Sequence, residues 1–197
     1  MTTIIVATGN KDKVREIKEI MSDLDVEILT MKEAGVAADP EENGGSFEEN
    51  ALIKARAVAV LTDNIVIADD SGLEVDYMNK EPGIYSARWL GHDTSYDVKN
   101  QAILDKLAGV PKEKRTARYV AAVAAVLPDA REIVARGTME GYIGWEPEGN
   151  NGFGYDPIFY LDEFGHSSAF ISPDEKNAIS HRGKALREIR RLLSSYI

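Results

Sequence analysis

Residues 4–13 have the sequence IIVATGNKDK, in which an apolar run leads through a glycine turn into a segment with two lysines. The apolar run predicts a short buried strand over residues 4–8. Residues 10–21 then carry apolar side chains at helical spacing, which predicts a helix with one inward face. A strand that leads through a short loop into a helix is the repeating unit of α/β proteins, so this stretch favours that fold class.

The rest of the chain continues the alternation of strands and helices. Further strands are predicted over residues 26–29, 65–69, 117–127 and 132–138, the last two joined at Pro128-Asp129 as a hairpin. Further helices are predicted over residues 46–61 and 95–107 and after Ser180, with a turn at residues 70–72 and a short helical turn that starts at Ser172-Pro173. Ser46 and Glu49 are spaced as a capping box for the first of these helices. The pattern predicts an α/β fold with a mixed sheet, whose ligands bind at the carboxyl ends of strands.

Composition narrows the class of function. The chain has 197 residues, no cysteine and a net charge of −10. It therefore has no thiolate nucleophile, and its charge argues against a role in binding nucleic acid. Its longest apolar run, residues 119–127, is shorter than the roughly 20 residues of a membrane helix, and its start lacks the features of a secretory signal. We expect a cytoplasmic protein without a membrane anchor.

The loop at residues 8–13 is a candidate phosphate site. Gly9 allows the backbone to approach a ligand, and the amides at a helix start attract anions. Lys11 and Lys13 add positive charge. The alternative is an ordinary strand-to-helix turn with two solvated lysines, and the loop does not match the longer P-loop pattern.

Adjacent acids at Asp69 and Asp70 form a candidate metal and proton-acceptor site. They directly follow a buried apolar strand, where two carboxylates repel each other unless a cation is near. Oxygen ligands of this kind select Mg²⁺. Because neighbouring side chains in a strand point to opposite faces, only one of the pair need meet the ligand, and the sequence leaves open which one. Glu41 or Glu42 could add a second carboxylate; the alternatives are a polar turn and a solvated loop.

A candidate base site lies in the C-terminal third. Residues 152–157 combine two glycines with Phe153, Tyr155 and Asp156, and aromatic faces stack on bases. Residues 175–177 and 180–184 add hydrogen-bond donors near a helix start, which is unfavourable for the helix dipole unless an anion or ligand is close. The alternative is a glycine turn with aromatic side chains packed in the core.

Together these segments resemble the inosine triphosphate pyrophosphatase family, which removes non-standard purine nucleotides. The resemblance runs from Thr8 to Lys184. It rests on six motifs in the family's order: TGN at 8–10 with Lys13, SFEENA at 46–51 with Lys54-Ala55, ADDSGL at 68–73, PGIYSAR at 82–88, GFGYDPIF at 152–159 and ISHRG at 179–183.

The resemblance implies a single elongated, two-lobed domain over residues 1–197, with a long mixed sheet and an active-site cleft between the lobes. It implies a homodimer that hydrolyses free ITP, dITP and XTP to the monophosphate and pyrophosphate with Mg²⁺ as cofactor. Asp70 is expected to be the proton acceptor and, with Glu42, a metal ligand. The expected substrate-binding residues are Thr8, Gly9, Asn10, Lys11, Asp12, Lys13, Ser71, Phe153, Gly154, Tyr155, Asp156, Lys176, His181 and Arg182.

Selectivity is expected from the donors of Lys176 and Arg182. Side chains that only donate hydrogen bonds fit an oxygen at position six of a purine and are left unpaired by the amino group of adenine. The sequence does not explain how guanine is rejected. Two other functions stay open: a metal phosphohydrolase that releases orthophosphate, and a nucleotide sensor without turnover.

Overall fold

The computed structural model describes residues 2–197, which form seven strands and five α-helices. The strands are β1 (Thr2–Val6), β2 (Val26–Thr30), β3 (Ile65–Val75), β4 (Thr116–Val126), β5 (Glu132–Ile143), β6 (Phe159–Leu161) and β7 (His166–Ser167). The helices are α1 (Lys11–Ile20), α2 (Phe47–Ala59), α3 (Tyr96–Lys106), α4 (Pro173–Ile179) and α5 (His181–Leu193). Over this part of the chain, no helix is long and apolar enough to span a membrane.

All seven strands belong to one mixed sheet in the order β2-β1-β3-β4-β5-β6-β7. β1 pairs in parallel with both β2 and β3, whereas β6 is antiparallel to β5 and β7. β4 and β5 are neighbours joined by residues 127–131, and so short a connection permits only an antiparallel hairpin. The predicted α/β class with a mixed sheet is confirmed.

The chain divides into two compact units. The first comprises Met1–Asp70, Ala121–Gly137 and His181–Ile197. Its core packs apolar residues of β1, β3 and β4 against the inward faces of α1 and α5. The face of α1 and its C-terminal end contributes Ile17 and Met21, and that of α5 contributes Leu186, Ile189 and Leu193. These residues have the helical spacing that the sequence shows.

The second unit comprises Ser71–Val120 and Thr138–Ser180. Its core contains Leu73 and Val75 of β3, Ile103 and Leu104 of α3, and residues of β5 and β6 such as Phe159. The predicted cleft and elongated shape stay predictions, as does the description of residues 1–197 as a single domain.

The predicted turn at residues 70–72 is wrong, because β3 runs without interruption from Ile65 to Val75. Leu73 and Val75 are fully buried, so their burial keeps the segment extended beyond the two acids. Asp, Ser and Gly in sequence favour a turn locally, but core packing outweighs that preference.

β5 extends five residues beyond its predicted end, and β6 and β7 were not predicted. Two glycines of β5, Gly137 in its middle and Gly141 near its end, interrupt the apolar pattern from which a strand is recognised. Gly141 is required by a close approach of β6: a Cβ there would lie 2.4 Å from the carbonyl oxygen of Tyr160.

The capping box at the start of α2 forms only in part. The Ser46 hydroxyl accepts a hydrogen bond from the Glu49 amide at 3.1 Å, as predicted. The Glu49 carboxylate, however, accepts from the amide of Gly45 at 2.6 Å rather than from that of Ser46. The Glu49 side chain therefore ties the preceding loop to the helix.

Gly141→Ala tests the close contact between β5 and β6. The added methyl group would meet backbone atoms that cannot move aside, so we expect a loss of about 1–3 kcal/mol in the free energy of unfolding measured with urea. Gly45→Ala is the control, because its nearest neighbour would be 3.5 Å away. Equal stability of the two variants would contradict the packing described here.

Candidate active site

The loop between β1 and α1 exposes the start of a helix. The Asn10 side chain caps α1 by accepting hydrogen bonds from the amides of Asp12 at 2.9 Å and Lys13 at 3.2 Å. The Thr8 hydroxyl accepts from the Asn10 amide at 3.2 Å. No atom lies within 4 Å of the position that a Cβ on Gly9 would take, so the backbone is open there. The geometry suits an anion at the start of α1.

Asp69 is the centre of a buried ion-pair network in the first unit. Lys13 Nζ lies 2.6 Å from its Oδ1, and Arg182 Nε donates to its Oδ2 at 3.1 Å. Another nitrogen of Arg182 donates to the carboxylate of Glu16. Burial alone raises the pKa of the fully buried Asp69, but the charges of Arg182 and Lys13 outweigh burial and hold that pKa well below its usual range. Asp69 is therefore a permanent anion and a poor proton acceptor.

Asp70, the next residue, has a different environment. Its Oδ1 accepts a hydrogen bond from Lys54 Nζ at 2.9 Å, and the same ammonium group lies 3.3 Å from Glu42 Oε2. Its Oδ2 is buried and has no hydrogen-bond partner within residues 2–197. Burial raises the pKa of Asp70 despite the attraction of Lys54 and Lys13, and nearby Glu42 raises it further. A carboxylate with a raised pKa and an unused oxygen is suited to accept a proton.

The residues around Lys54 fit a Mg²⁺ ion that binds with a phosphorylated substrate. The ammonium group of Lys54 bridges two carboxylates, which marks a point where positive charge is stabilised. No group of three or more His, Asp or Glu side chains in the described part of the chain is arranged to hold a metal ion. A pair of carboxylates is what Mg²⁺ takes when waters and phosphate oxygens complete its shell. Glu42 belongs to this pair, whereas Glu41 is exposed.

In the second unit, Asp156 organises the candidate base loop. Its carboxylate accepts hydrogen bonds from the Phe153 amide at 2.8 Å, the Ser168 hydroxyl at 2.7 Å and Lys176 Nζ at 2.6 Å. The Lys176 ammonium also lies 5.1 Å from the centre of the Phe153 ring. A Cβ on Gly152 would come within 2.1 Å of the Asp156 carboxylate, so the tight loop requires glycine.

Helix α3 supports the same loop through side chains that the sequence did not single out. Asn100 Nδ2 donates to the carbonyl oxygen of Gly154 at 3.2 Å, and Lys99 Nζ donates to that of Ala87 at 2.7 Å. Tyr96 packs edge-on against Tyr155, with ring centres 5.2 Å apart. Asn100 and Tyr96 thus hold the glycine loop at residues 152–156, and Lys99 holds the separate loop at residues 82–88.

The structure assigns the predicted residues to two groups. The first unit holds Thr8, Gly9, Asn10, Lys11, Asp12, Lys13, Glu42, Asp70, His181 and Arg182, and the second holds Ser71, Phe153, Gly154, Tyr155, Asp156 and Lys176. In the first group Lys13 and Arg182 meet Asp69, and in the second Lys176 meets Asp156. Arg182 differs from its predicted role as a donor to the base, because its guanidinium binds Asp69 and Glu16.

Sequence reasoning missed three contributors to these groups. Lys54 was noticed only within a family motif, Glu16 not at all, and Ser168 lies outside every motif. A signal existed for Glu16, which follows Lys13 by three residues and so lies on the same face of α1. For Lys54 and Ser168, nothing in the local sequence indicates the carboxylates that they meet.

The fold and these groups define an α/β protein with an exposed helix start and a carboxylate pair suited to a metal ion. A family model described as the Ham1 family matches residues 4–192, and the chain belongs to this family. It is 46% identical to a dITP/XTP pyrophosphatase of Caldanaerobacter subterraneus subsp. tengcongensis, over 96% of this chain and 95% of the relative. It is 43% identical to a dITP/XTP pyrophosphatase of Bacillus subtilis, over 99% and 98% of the two chains.

Solved structures agree with this membership. The Staphylococcus aureus Ham1 protein superposes with a TM-score of 0.88 at 38% identity, covering 100% of both chains. A HAM1 protein from Coxiella burnetii superposes with a TM-score of 0.89 at 38% identity, covering 99% of this chain and 100% of the other.

Asp69→Asn tests the buried network. Removing the anion takes from Lys13 and Arg182 the buried carboxylate that they share, so we expect a loss of about 3 kcal/mol or more in the free energy of unfolding at neutral pH. Because the pKa of Asp69 is lowered in the folded state, its contribution is complete above the unfolded pKa of about 4 and is lost as the pH falls below it. Urea unfolding between pH 3 and 7 should therefore show less acid sensitivity in the variant.

Asp23→Asn is the control for this experiment. It breaks an exposed ion pair with Arg190, which contributes about 0–1 kcal/mol. A loss as small as this in Asp69→Asn would mean that the network does not stabilise the fold.

Proposed function

We propose that this protein hydrolyses the non-standard purine nucleoside triphosphates ITP, dITP and XTP to the monophosphate and pyrophosphate, and so removes them from the nucleotide pool. Membership of the Ham1 family and relatives named dITP/XTP pyrophosphatase support this activity. The observation that carries the proposal is the state of Asp70: a buried carboxylate with a raised pKa, one oxygen on Lys54 and the other unpaired among residues 2–197.

Asp70 acts as the proton acceptor for the water that attacks the α-phosphorus. A carboxylate that loses hydration has a higher pKa and therefore takes up a proton more readily. Lys54 binds one oxygen of Asp70 and so fixes the orientation of the other. Asp69 cannot substitute, because its lowered pKa keeps it ionised and its oxygens are engaged by Lys13 and Arg182. Asp69 thus anchors the buried ion-pair network, and Asp70 accepts the proton.

The phosphates bind at the loop that opens α1. Residues 8–13 offer the positive end of the helix dipole and Lys11, and Ser71 adds a hydroxyl. Glu42 and Asp70 hold Mg²⁺, which when bound neutralises phosphate charge and polarises the reacting phosphoryl group. Lys54 lies between these carboxylates and keeps them oriented.

Base selection uses the loop at residues 152–156 together with Lys176 and residues at the start of α5. Lys176 Nζ donates to Asp156, and its ammonium group, which only donates hydrogen bonds, suits an oxygen at position six. Adenine places an amino group there, which cannot accept. Phe153 offers a ring face for stacking. In this proposal His181 completes the donor set, whereas Arg182, bound to Asp69 and Glu16, holds the start of α5 in place.

The proposal includes the setting of the enzyme. Free nucleoside triphosphates are the substrates, the enzyme is a cytoplasmic homodimer, and nucleic acid is not a partner. The net charge of −10 supports the last point, because such a surface repels long polyanions. Light scattering after size exclusion measures the oligomeric state directly.

A substrate panel with Mg²⁺, scored separately for pyrophosphate and orthophosphate, tests the activity. We expect pyrophosphate from ITP, dITP and XTP, with kcat/KM for ITP at least about 100-fold above that for ATP, since a polar site rejects a mismatched group strongly. Orthophosphate as the product would favour a general phosphohydrolase, and binding without turnover would favour a sensor. Equal efficiency on ITP and ATP would contradict the assignment of the base pocket.

Asp70→Asn tests the proton acceptor. We expect kcat to fall about 1,000-fold while ITP binding, measured by calorimetry, persists. Because the pKa of Asp70 is raised, the wild-type kcat/KM should decline as the pH falls through a value above the ordinary 3.9 of aspartate. Asp162→Asn, at an exposed acid, is the control. Near wild-type turnover in Asp70→Asn would remove Asp70 from the mechanism.

A further inference from the structure

Asn50 is a fully buried amide in the first turns of α2. Its Oδ1 accepts a hydrogen bond from the backbone amide of Gly44 at 2.8 Å. Its Nδ2 is buried and meets no acceptor anywhere in the described chain. A buried amide whose NH₂ group has no acceptor destabilises the fold, and an apolar side chain at the same position would carry no such penalty. The bond to Gly44 is therefore the feature that the amide provides.

Gly44 belongs to the loop that carries Glu42. A Cβ on Gly44 would lie 2.8 Å from Asn50 Oδ1 and 2.7 Å from the Glu49 Cβ, so the loop backbone is pressed against α2. The next amide, that of Gly45, donates to the Glu49 carboxylate at 2.6 Å. Two consecutive side chains of α2 thus hold two consecutive amides of the loop.

The same helix also determines where Glu42 meets its partner. Lys54 follows Asn50 by four residues, so both side chains lie on one face of α2. Lys54 Nζ lies 3.3 Å from Glu42 and 2.9 Å from Asp70. Glu42 is therefore placed from two sides: Asn50 and Glu49 hold the loop backbone two and three residues after it, and Lys54 binds its carboxylate.

We propose that Asn50, assisted by Glu49, is a positioning residue for the metal-binding carboxylate of Glu42, acting through the amide of Gly44. This inference rests on the proposed function, in which Glu42 and Asp70 hold Mg²⁺. Asn50 touches neither metal nor nucleotide; it orders the loop before the ion arrives. Without it the loop samples other conformations, and ordering it again lowers the apparent affinity for the ion.

Asn50→Ala is the main test, with Mn²⁺ as the probe ion. Free Mn²⁺ is followed by its electron paramagnetic resonance signal while it is titrated into the protein with a non-hydrolysable ITP analogue. We expect the dissociation constant to rise about fivefold, the size that loss of one neutral hydrogen bond gives. The Mg²⁺ concentration for half-maximal activity should rise by a similar factor, with a smaller change in kcat at saturating Mg²⁺.

Arg56→Gln is the matched control, because it breaks the exposed ion pair of another α2 residue with Glu132, at the end of the helix away from the loop. Its Mn²⁺ affinity should equal that of the wild type. Glu49→Ala, at an exposed position, decides the matter if Asn50→Ala does not fold, and should weaken Mn²⁺ binding about twofold to threefold.

The outcomes separate this inference from the proposed function. A folded Asn50→Ala protein with wild-type Mn²⁺ affinity overturns the inference, as does unchanged affinity in Glu49→Ala when Asn50→Ala is unfolded. A wild type that binds Mn²⁺ but releases no pyrophosphate overturns the proposed function, while the comparison of variants still decides the role of Asn50. A wild type that binds no Mn²⁺ with the analogue overturns both.

Discussion

Two neighbouring side chains in an extended strand point to opposite faces, and this constraint in β3 underlies the candidate active site. It sends Asp69 into a buried network with Lys13 and Arg182, and Asp70 toward Lys54 and Glu42. Had the chain turned at Asp70, both carboxylates could have shared one solvated environment. Because β3 continues through them, the two acids acquire pKa shifts in opposite directions.

The cations around these acids give Asp69 a structural role and suit Asp70 to a chemical one. Lys13 and Arg182 compensate Asp69 so fully that it stays ionised in the core. Lys54 compensates Asp70 only in part, and burial keeps the pKa of that carboxyl above its usual value. Incomplete compensation is what makes Asp70, rather than Asp69, suited to accept a proton.

Helix starts and helix faces recur as the supports of functional loops. Asn10 caps α1 beneath the candidate phosphate loop, and Asn50 with Glu49 holds the acidic loop on α2. In the second unit, Asn100 and Tyr96 of α3 play the corresponding part for the glycine loop at residues 152–156. In each case a polar side chain satisfies a backbone group that the loop itself leaves unpaired.

Local patterns in the sequence determined the α/β class, the existence of all five helices and the positions of five strands, because apolar periodicity and capping residues act over a few residues. The resemblance to a family supplied the candidate site residues. Only the tertiary structure decided that β3 passes through the acid pair, that β6 and β7 exist, and that Arg182 binds Asp69. Core burial, the approach of β6 to Gly141 and ion pairs between residues as far apart as 69 and 182 depend on contacts that no local pattern records.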